Sequence, residues 1–155
     1  MRILTVAAVL ALIPALLSTP SDLSAQSSDP GAVMAPIHRL FDGMRAHDSA
    51  AVRSVFAPGV QLTSSSMRNG VPTVESEAVE GFINAVGKPS SDVWDERITD
   101  PVVHIDDGLA MVWVKYSFYL NDKFSHCGVD AFMLARDTAG WKVVSLADTR
   151  RREGC

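Results

Sequence analysis

Two side chains near the end of the sequence have the types that acid/base chemistry needs, and both stand in an apolar run. His126 and Asp130 lie in His126-Cys127-Gly128-Val129-Asp130-Ala131-Phe132. In a strand they share one face, roughly 13 Å apart along the chain, too far for a direct hydrogen bond but suited to flanking a ligand that lies across the strand. A carboxylate buried without a partner costs several kcal/mol, so Asp130 needs either a ligand or a structural partner such as Arg150. The alternative for His126 is a side chain held in place beside Cys127. The four histidines, at 38, 47, 104 and 126, lack metal-ligand spacing, so no metal is expected. There is no Gly-rich phosphate loop, no nucleophile elbow and no His/Cys pair, and no cofactor is implied.

The elements that must position these residues follow from periodicity. Val33, Ile37, Leu40, Phe41 and Met44 recur at helical spacing over residues 32–46. Asp48 is an N-cap for a short helix over Ser49 to Phe56, which Pro58-Gly59 ends. A hairpin around Asn69-Gly70 follows, then a helix through Val79, Phe82, Ile83 and Val86, closed by Gly87. From Trp94 the chain reads as four long strands, 94–105, 109–120, 123–136 and 141–149, rich in Val, Phe, Tyr and Trp. Short turns at Asp107-Gly108, Asn121-Asp122 and 137–140 make neighbours antiparallel, and Pro101 bends the first strand. Helices first and a meander last imply an α+β fold in which a curved antiparallel sheet wraps about three N-terminal helices.

Turn geometry then sorts the candidates by face. A two-residue turn at Asn121-Asp122 sets Ser117 against His126 and Trp113 against Asp130; the same turn at Asp107-Gly108 adds Val102 and His104. The expected ligand-facing set is Trp113, Phe132, His104 and Tyr119 together with His126 and Asp130, with Tyr116 on the opposite face. One bulge reverses this assignment. The strand 109–120 is apolar on both faces, which points to a homodimer through the sheet.

Length and charge limit the rest. The chain has 155 residues, 47% hydrophobic, with 14 Lys+Arg against 18 Asp+Glu, enough for one domain. Its only basic run is Arg150, Arg151 and Arg152, so a nucleic-acid surface is not expected. Met1-Arg2 opens onto an apolar run from Ile3 to Leu17 that stops at Ser18-Thr19-Pro20, short of the ~20 residues a membrane span needs. It reads as a signal peptide, residues 1–25, followed by a polar leader, 26–31, and a domain over 32–155, placing the protein in the periplasm or outside the cell without stable membrane insertion. Cleavage removes Arg2 and Asp22, leaving the acidic excess unchanged. Export also makes a disulfide between Cys127 and Cys155 the expected state of the two cysteines, two free thiols being the alternative.

The arrangement resembles the nuclear transport factor 2-like superfamily, the cone-shaped α+β fold of ketosteroid isomerases, scytalone dehydratase and polyketide cyclases of the SnoaL type. The likeness runs over about residues 32–150. It is carried by the first helix with His47-Asp48-Ser49-Ala50-Ala51-Val52, by Phe56-Ala57-Pro58-Gly59-Val60, and by the meander with Gly140-Trp141-Lys142-Val143-Val144. The segment from His126 to Phe132, with Asp148-Thr149-Arg150 and Cys155, looks like an exported subgroup of unknown activity. The resemblance implies a cone able to take a small hydrophobic or amphipathic molecule. The alternatives are an isomerase, dehydratase or cyclase using Asp130 or His126 as general base, and a structural dimer whose cone is filled by its own side chains. No residue-by-residue match to the ketosteroid isomerase constellation, nor to the paired histidines of scytalone dehydratase, is present.

Overall fold

A computed structural model describes residues 29–155; the expected signal peptide and residues 26–28 of the polar leader lie outside the described residues. Helix α1 is Pro30–Arg45, α2 Ser49–Val55 and α3 Val79–Val86, and the strands are β1 Gln61–Arg68, β2 Val71–Ala78, β3 Trp94–Asp106, β4 Leu109–Leu120, β5 Lys123–Asp137 and β6 Gly140–Arg150. Asp29 accepts a hydrogen bond from the Gly31 amide at 2.8 Å with Pro30 opening the helix, so α1 starts two residues before its apolar periodicity does. Asp48 caps α2 through the Ala51 amide at 2.9 Å.

The six strands form one sheet in the order β2-β1-β6-β5-β4-β3. Consecutive strands from β3 to β6 pair antiparallel, as the short turns require, while β1 joins β6 in parallel. The curved sheet folds over the helices, giving the α+β architecture expected from the sequence. Val33, Ile37, Leu40 and Phe41 of α1 share a core with Val112, Val114, Phe132, Leu134 and Val143 of the sheet, and Phe41 meets Phe132 edge to face at 6.3 Å. In β4 the even-numbered residues Ala110, Val112, Val114 and Tyr116 are buried, and the odd ones from Leu109 to Lys115 are exposed.

Both predicted turns form, with Asp106 opposite Leu109 and Leu120 opposite Lys123. Asn121 and Asp122 both take positive φ, as a tight two-residue hairpin demands. The register of β3 shifts between Thr99 and Val102, at Pro101. A second shift corrects the face assignment: Phe118 pairs with His126 but Tyr119 with Phe124, so Ser125 is an extra residue. This bulge turns the rest of β5 over relative to β4. Val114, not Trp113, stands opposite Asp130, and Phe118, not Ser117, opposite His126.

Beyond β6 the chain keeps pairing with β5, since Cys127 and Arg151 exchange amide–carbonyl bonds of 2.9 and 3.0 Å. Cys127 and Cys155 form the disulfide, with Cα atoms 5.9 Å apart. Next to it, only glycine fits at 128: a Cβ there would lie 1.7 Å from the Thr149 carbonyl oxygen.

Candidate functional site

Between the helices and the inner face of the sheet lies a cavity of about 690 Å³. Its apolar lining comes from Leu40, Phe41 and Met44 of α1, Phe82 and Ala85 of α3, and Leu62, Trp94, Phe118 and Leu146 of the strands. The cone is therefore not filled by its own side chains, which removes the filled-cone alternative. Both helices contribute only apolar residues and Gly81 to it, so its polar character comes from the sheet alone.

The polar end is assembled by cross-strand pairing. Asp148 stands opposite Asp130 on one side and Ser64 on the other, while Glu96 pairs with Phe118 and through it with His126. Five strands thus bring Ser64, Glu96, Tyr116, His126, Asp130, Asp148 and Arg150 to one end of the cavity. Asp148 is well supplied with donors: Ser64 Oγ, Arg150 Nε at 2.8 Å and Tyr116 Oη at 3.2 Å. The Tyr116 hydroxyl also lies 2.9 Å from the Thr149 carbonyl.

Asp130 is in a different position. It is 3% exposed, and no N–H or hydroxyl reaches its Oδ2. The Glu96 carboxyl is its close neighbour, and two carboxyls so placed hold a proton between them rather than ionise together. Burial, then the charge and hydrogen bond of Glu96, then Asp148, push Asp130 well above the usual carboxylate range. Burial likewise pushes Glu96 up to about 7, with the hydrogen bond to Asp130 working against it. The pair therefore carries one proton at neutral pH. Tyr116 is driven upward by burial and by the Asp148, Glu96 and Asp130 charges, so its hydroxyl remains a donor. His126 is lowered by burial and by Arg150; its Nδ1 is 3.0 Å from Ser125 Oγ and its ring sits against Phe118 and Tyr116. Arg150 pairs with Asp148 rather than with Asp130.

Of the residues expected at the site, His126 and Asp130 line the cavity. Trp113 is half exposed on the outer face, where its partner is Val102. His104 is exposed beside Met111 on the same outer face. Tyr119 lies under the Arg97 guanidinium, 4.1 Å from its ring centre. Phe132 is on the inner face but deeper, against Phe41 in the core. The Ser125 bulge accounts for the exchange of Trp113 and Tyr119 for Tyr116 and Phe118. Glu96 was not singled out: in Trp94-Asp95-Glu96-Arg97 it reads as a solvated charge. His47, between α1 and α2, has its ring nitrogens 3.2 Å from Val86 O and 2.5 Å from Asp92 O.

Among the described residues, no cluster of three or more His, Cys, Asp or Glu is placed to hold a metal ion, and no helix is long and apolar enough to cross a membrane. The curved sheet closed by three helices over an internal cavity defines the class as the nuclear transport factor 2-like, or cystatin-like, cone fold. Solved structures of this class superpose over most of the chain. A nuclear transport factor 2-like protein of unknown function from Shewanella baltica is 13% identical, covers 87% of this chain and 100% of its own, and has a TM-score of 0.58. One from Novosphingobium aromaticivorans is 11% identical over 90% of this chain and 94% of its own, with a TM-score of 0.63. A putative dehydratase from Streptomyces avermitilis is 15% identical over 78% and 94%, with a TM-score of 0.58. The chain belongs to the family described as putative lumazine-binding, which matches residues 28–147. No curated protein matches the sequence significantly.

Proposed function

We propose that this protein is exported and binds a small, largely apolar molecule in the cone, with the polar part of that molecule at the Glu96–Asp130 end. The observation that carries the reading is the cavity itself: about 690 Å³, lined by aromatic and aliphatic side chains of the helices and strands and by convergent polar groups of the sheet, within the usual range of small-molecule sites. The family description supports a flat heteroaromatic as one such molecule, since ring N–H groups would suit an acceptor-rich carboxyl pair. The test is to extract the purified protein with organic solvent, identify any co-purifying molecule by mass spectrometry, and repeat after Ala85→Trp, which places an indole in the cavity. Recovery of the same molecule from both proteins would refute the cone as its site.

A second reading has an observation of its own. Two carboxyls that share a proton near neutral pH, beside a tyrosine hydroxyl, form a proton-transfer site for an isomerase, dehydratase or cyclase, with Asp130 as the group that takes and returns the proton. Asp130→Asn separates the readings: binding kept with turnover lost favours the enzyme, and no turnover by the unaltered protein favours the binder.

We also propose that the outer sheet face carries a second copy of the chain. Val102, Leu109, Met111 and Trp113 expose 38–50% of their surface on adjacent strands, an apolar patch of the kind that marks a protein interface. Light scattering should give twice the chain mass, and Trp113→Lys should return the monomer.

A further inference from the structure

Resting on the pocket reading above, we propose that the cone selects a cationic amphiphile: a molecule with an apolar, ring-sized body and a protonated amine, the ammonium group seated against the Glu96 and Asp130 carboxyls. The inference comes from where the positive charges of the cavity already are. Its wall carries five carboxyl groups, from Glu75 and Glu77 of β2, Glu96 of β3, Asp130 of β5 and Asp148 of β6, and two guanidinium groups, from Arg68 of β1 and Arg150 of β6. Each arginine is committed: Arg68 to Glu75 at 2.7 Å and Arg150 to Asp148 at 2.8 Å. The remaining titratable groups on the wall are Tyr116 of β4, which stays a neutral donor, and His126 of β5, held below the usual imidazole value by burial and Arg150 and so uncharged at neutral pH.

Of the two guanidinium groups only that of Arg150 acts on the inner pair by its charge, and its hydrogen bond goes to Asp148; among the described residues no cation is in contact with Glu96 or Asp130. Asp130 Oδ2 is buried on the cavity wall with no donor, and a buried charge without a counter-charge is costly. An anionic ligand would add a repulsive charge to this end. A neutral one could donate hydrogen bonds but would leave the charge uncompensated, whereas an ammonium group supplies both the charge and the hydrogen bonds. The surrounding rings fit the same head group: Trp94, Tyr116 and Phe118 line this part of the cone, and aromatic faces attract cations, most strongly where water is excluded. A metal ion is a poor alternative occupant, because no cluster of three or more metal-ligating side chains is present among the described residues. The proton shared by the pair gives the selection a pH dependence. Glu96 titrates at about 7 while Asp130 keeps its proton well above the ordinary range, so above about 7 the pair carries one negative charge to receive a cation, and below it a second proton competes.

Three probes with one body and different heads test this: 2-naphthylmethylammonium, 2-naphthalenemethanol and 2-naphthoate, titrated calorimetrically into the purified protein. At pH 8 the ammonium should bind at least tenfold tighter than the alcohol, and the carboxylate weakest. Its affinity should fall severalfold on going to pH 5.5 while that of the alcohol stays constant. Glu96→Gln and Asp130→Asn should each remove most of the ammonium preference and keep alcohol binding. Alcohol or naphthoate binding as tightly as the ammonium would overturn the charge selection and leave the pocket reading standing. So would a preference that survives both substitutions, since the acidity of the whole chain would then be its source. If none of the three binds, the pocket reading fails and this inference fails with it. The pH series on the unaltered protein decides the matter if a variant does not fold.

Discussion

Among the described residues two aspartates are almost fully buried, and their surroundings are opposites. Asp95 at the start of β3 is 8% exposed, and Asp130 in the middle of β5 is 3% exposed. Asp95 is held by Arg45 of α1, with Nη2 at 2.7 Å, and by Arg97 Nε at 2.7 Å. Burial alone would raise its pKa, but the hydrogen bonds and charges of the two arginines outweigh this and hold it below the usual value. Asp130 has another acid as its neighbour and is raised. One buried carboxyl is thus neutralised from within the protein and fastens a helix to a strand. The other faces a second acid and is pushed toward holding a proton instead, which is what separates a structural ion pair from a candidate site.

The largest effect expected lies beside the second region. The Cys127–Cys155 bond closes a loop of 28 residues, and its loss should cost about 3.5 kcal/mol on the chain-entropy account. It anchors the segment after Thr149 and Arg150, so Cys155→Ser should also weaken binding in the cone, while reduction of the native protein should give the same two results. Chemical denaturation with and without reductant checks the first, and probe titration the second. If stability falls and binding stays the same, the C-terminal clamp has no part in shaping the polar end.

At the first region, Asp95→Ala should destabilise the fold by about 2 kcal/mol at pH 7. It strands two guanidinium groups, but these are about half exposed, and solvent limits the penalty. Because the Asp95 pKa is depressed on folding, its contribution is present above the unfolded value and is lost as pH falls through the folded one. The difference between native and variant should therefore shrink below about pH 4, as read from denaturant midpoints across pH.

Asp130→Asn should act in the other direction. The introduced amide would donate to Glu96 as the protonated acid does, without the charge, and the variant should be more stable than the native protein by about 1 kcal/mol at pH 8. The Glu96–Asp130 pair binds its proton more tightly folded than unfolded, so native stability falls as pH rises from the ordinary carboxyl range to about 7. The variant should lose most of that slope, and the two should converge near about pH 4. A variant less stable than the native protein at pH 8 would mean that the aspartate is satisfied within the fold after all.

The contrast between the two acids was only half legible in the sequence. Helical periodicity placed α1 and α3, the Asp48 cap and Pro58-Gly59 bounded α2, and the dipeptides Asp107-Gly108 and Asn121-Asp122 fixed both tight turns of the meander, because such turns need residues that tolerate positive φ. The disulfide followed from the cysteine count and the expectation of export. What failed was one residue of register. Phe124-Ser125-His126 contains no Gly or Pro to mark a bulge, and β4 is apolar enough on both faces that either could have been the inner one. A signal was present in Phe132 and Leu134: as the large apolar residues of β5 they had to face the core, and Ala110, Val112 and Val114 are the β4 set that matches them in size. Glu96 could not have been found this way. It meets Asp130 across an intervening strand, far from it in the chain, and its neighbours Asp95 and Arg97, which form the other cluster, made it look solvated.

The smallest effect tests whether the two carboxyls and the tyrosine beside them act as one unit. Tyr116 donates toward both Thr149 O and Asp148, contacts within the sheet that need no ligand, and Tyr116→Phe should cost about 1 kcal/mol. Burial and the surrounding acids keep this hydroxyl protonated well beyond the range in which the protein can be studied. The loss should therefore be the same at pH 5 and pH 9, although the Glu96–Asp130 pair titrates between them. A loss that grows with pH would show the hydroxyl turning toward the pair once its proton leaves, and Tyr116 would then belong with Asp130 rather than with the β6 end that it now braces.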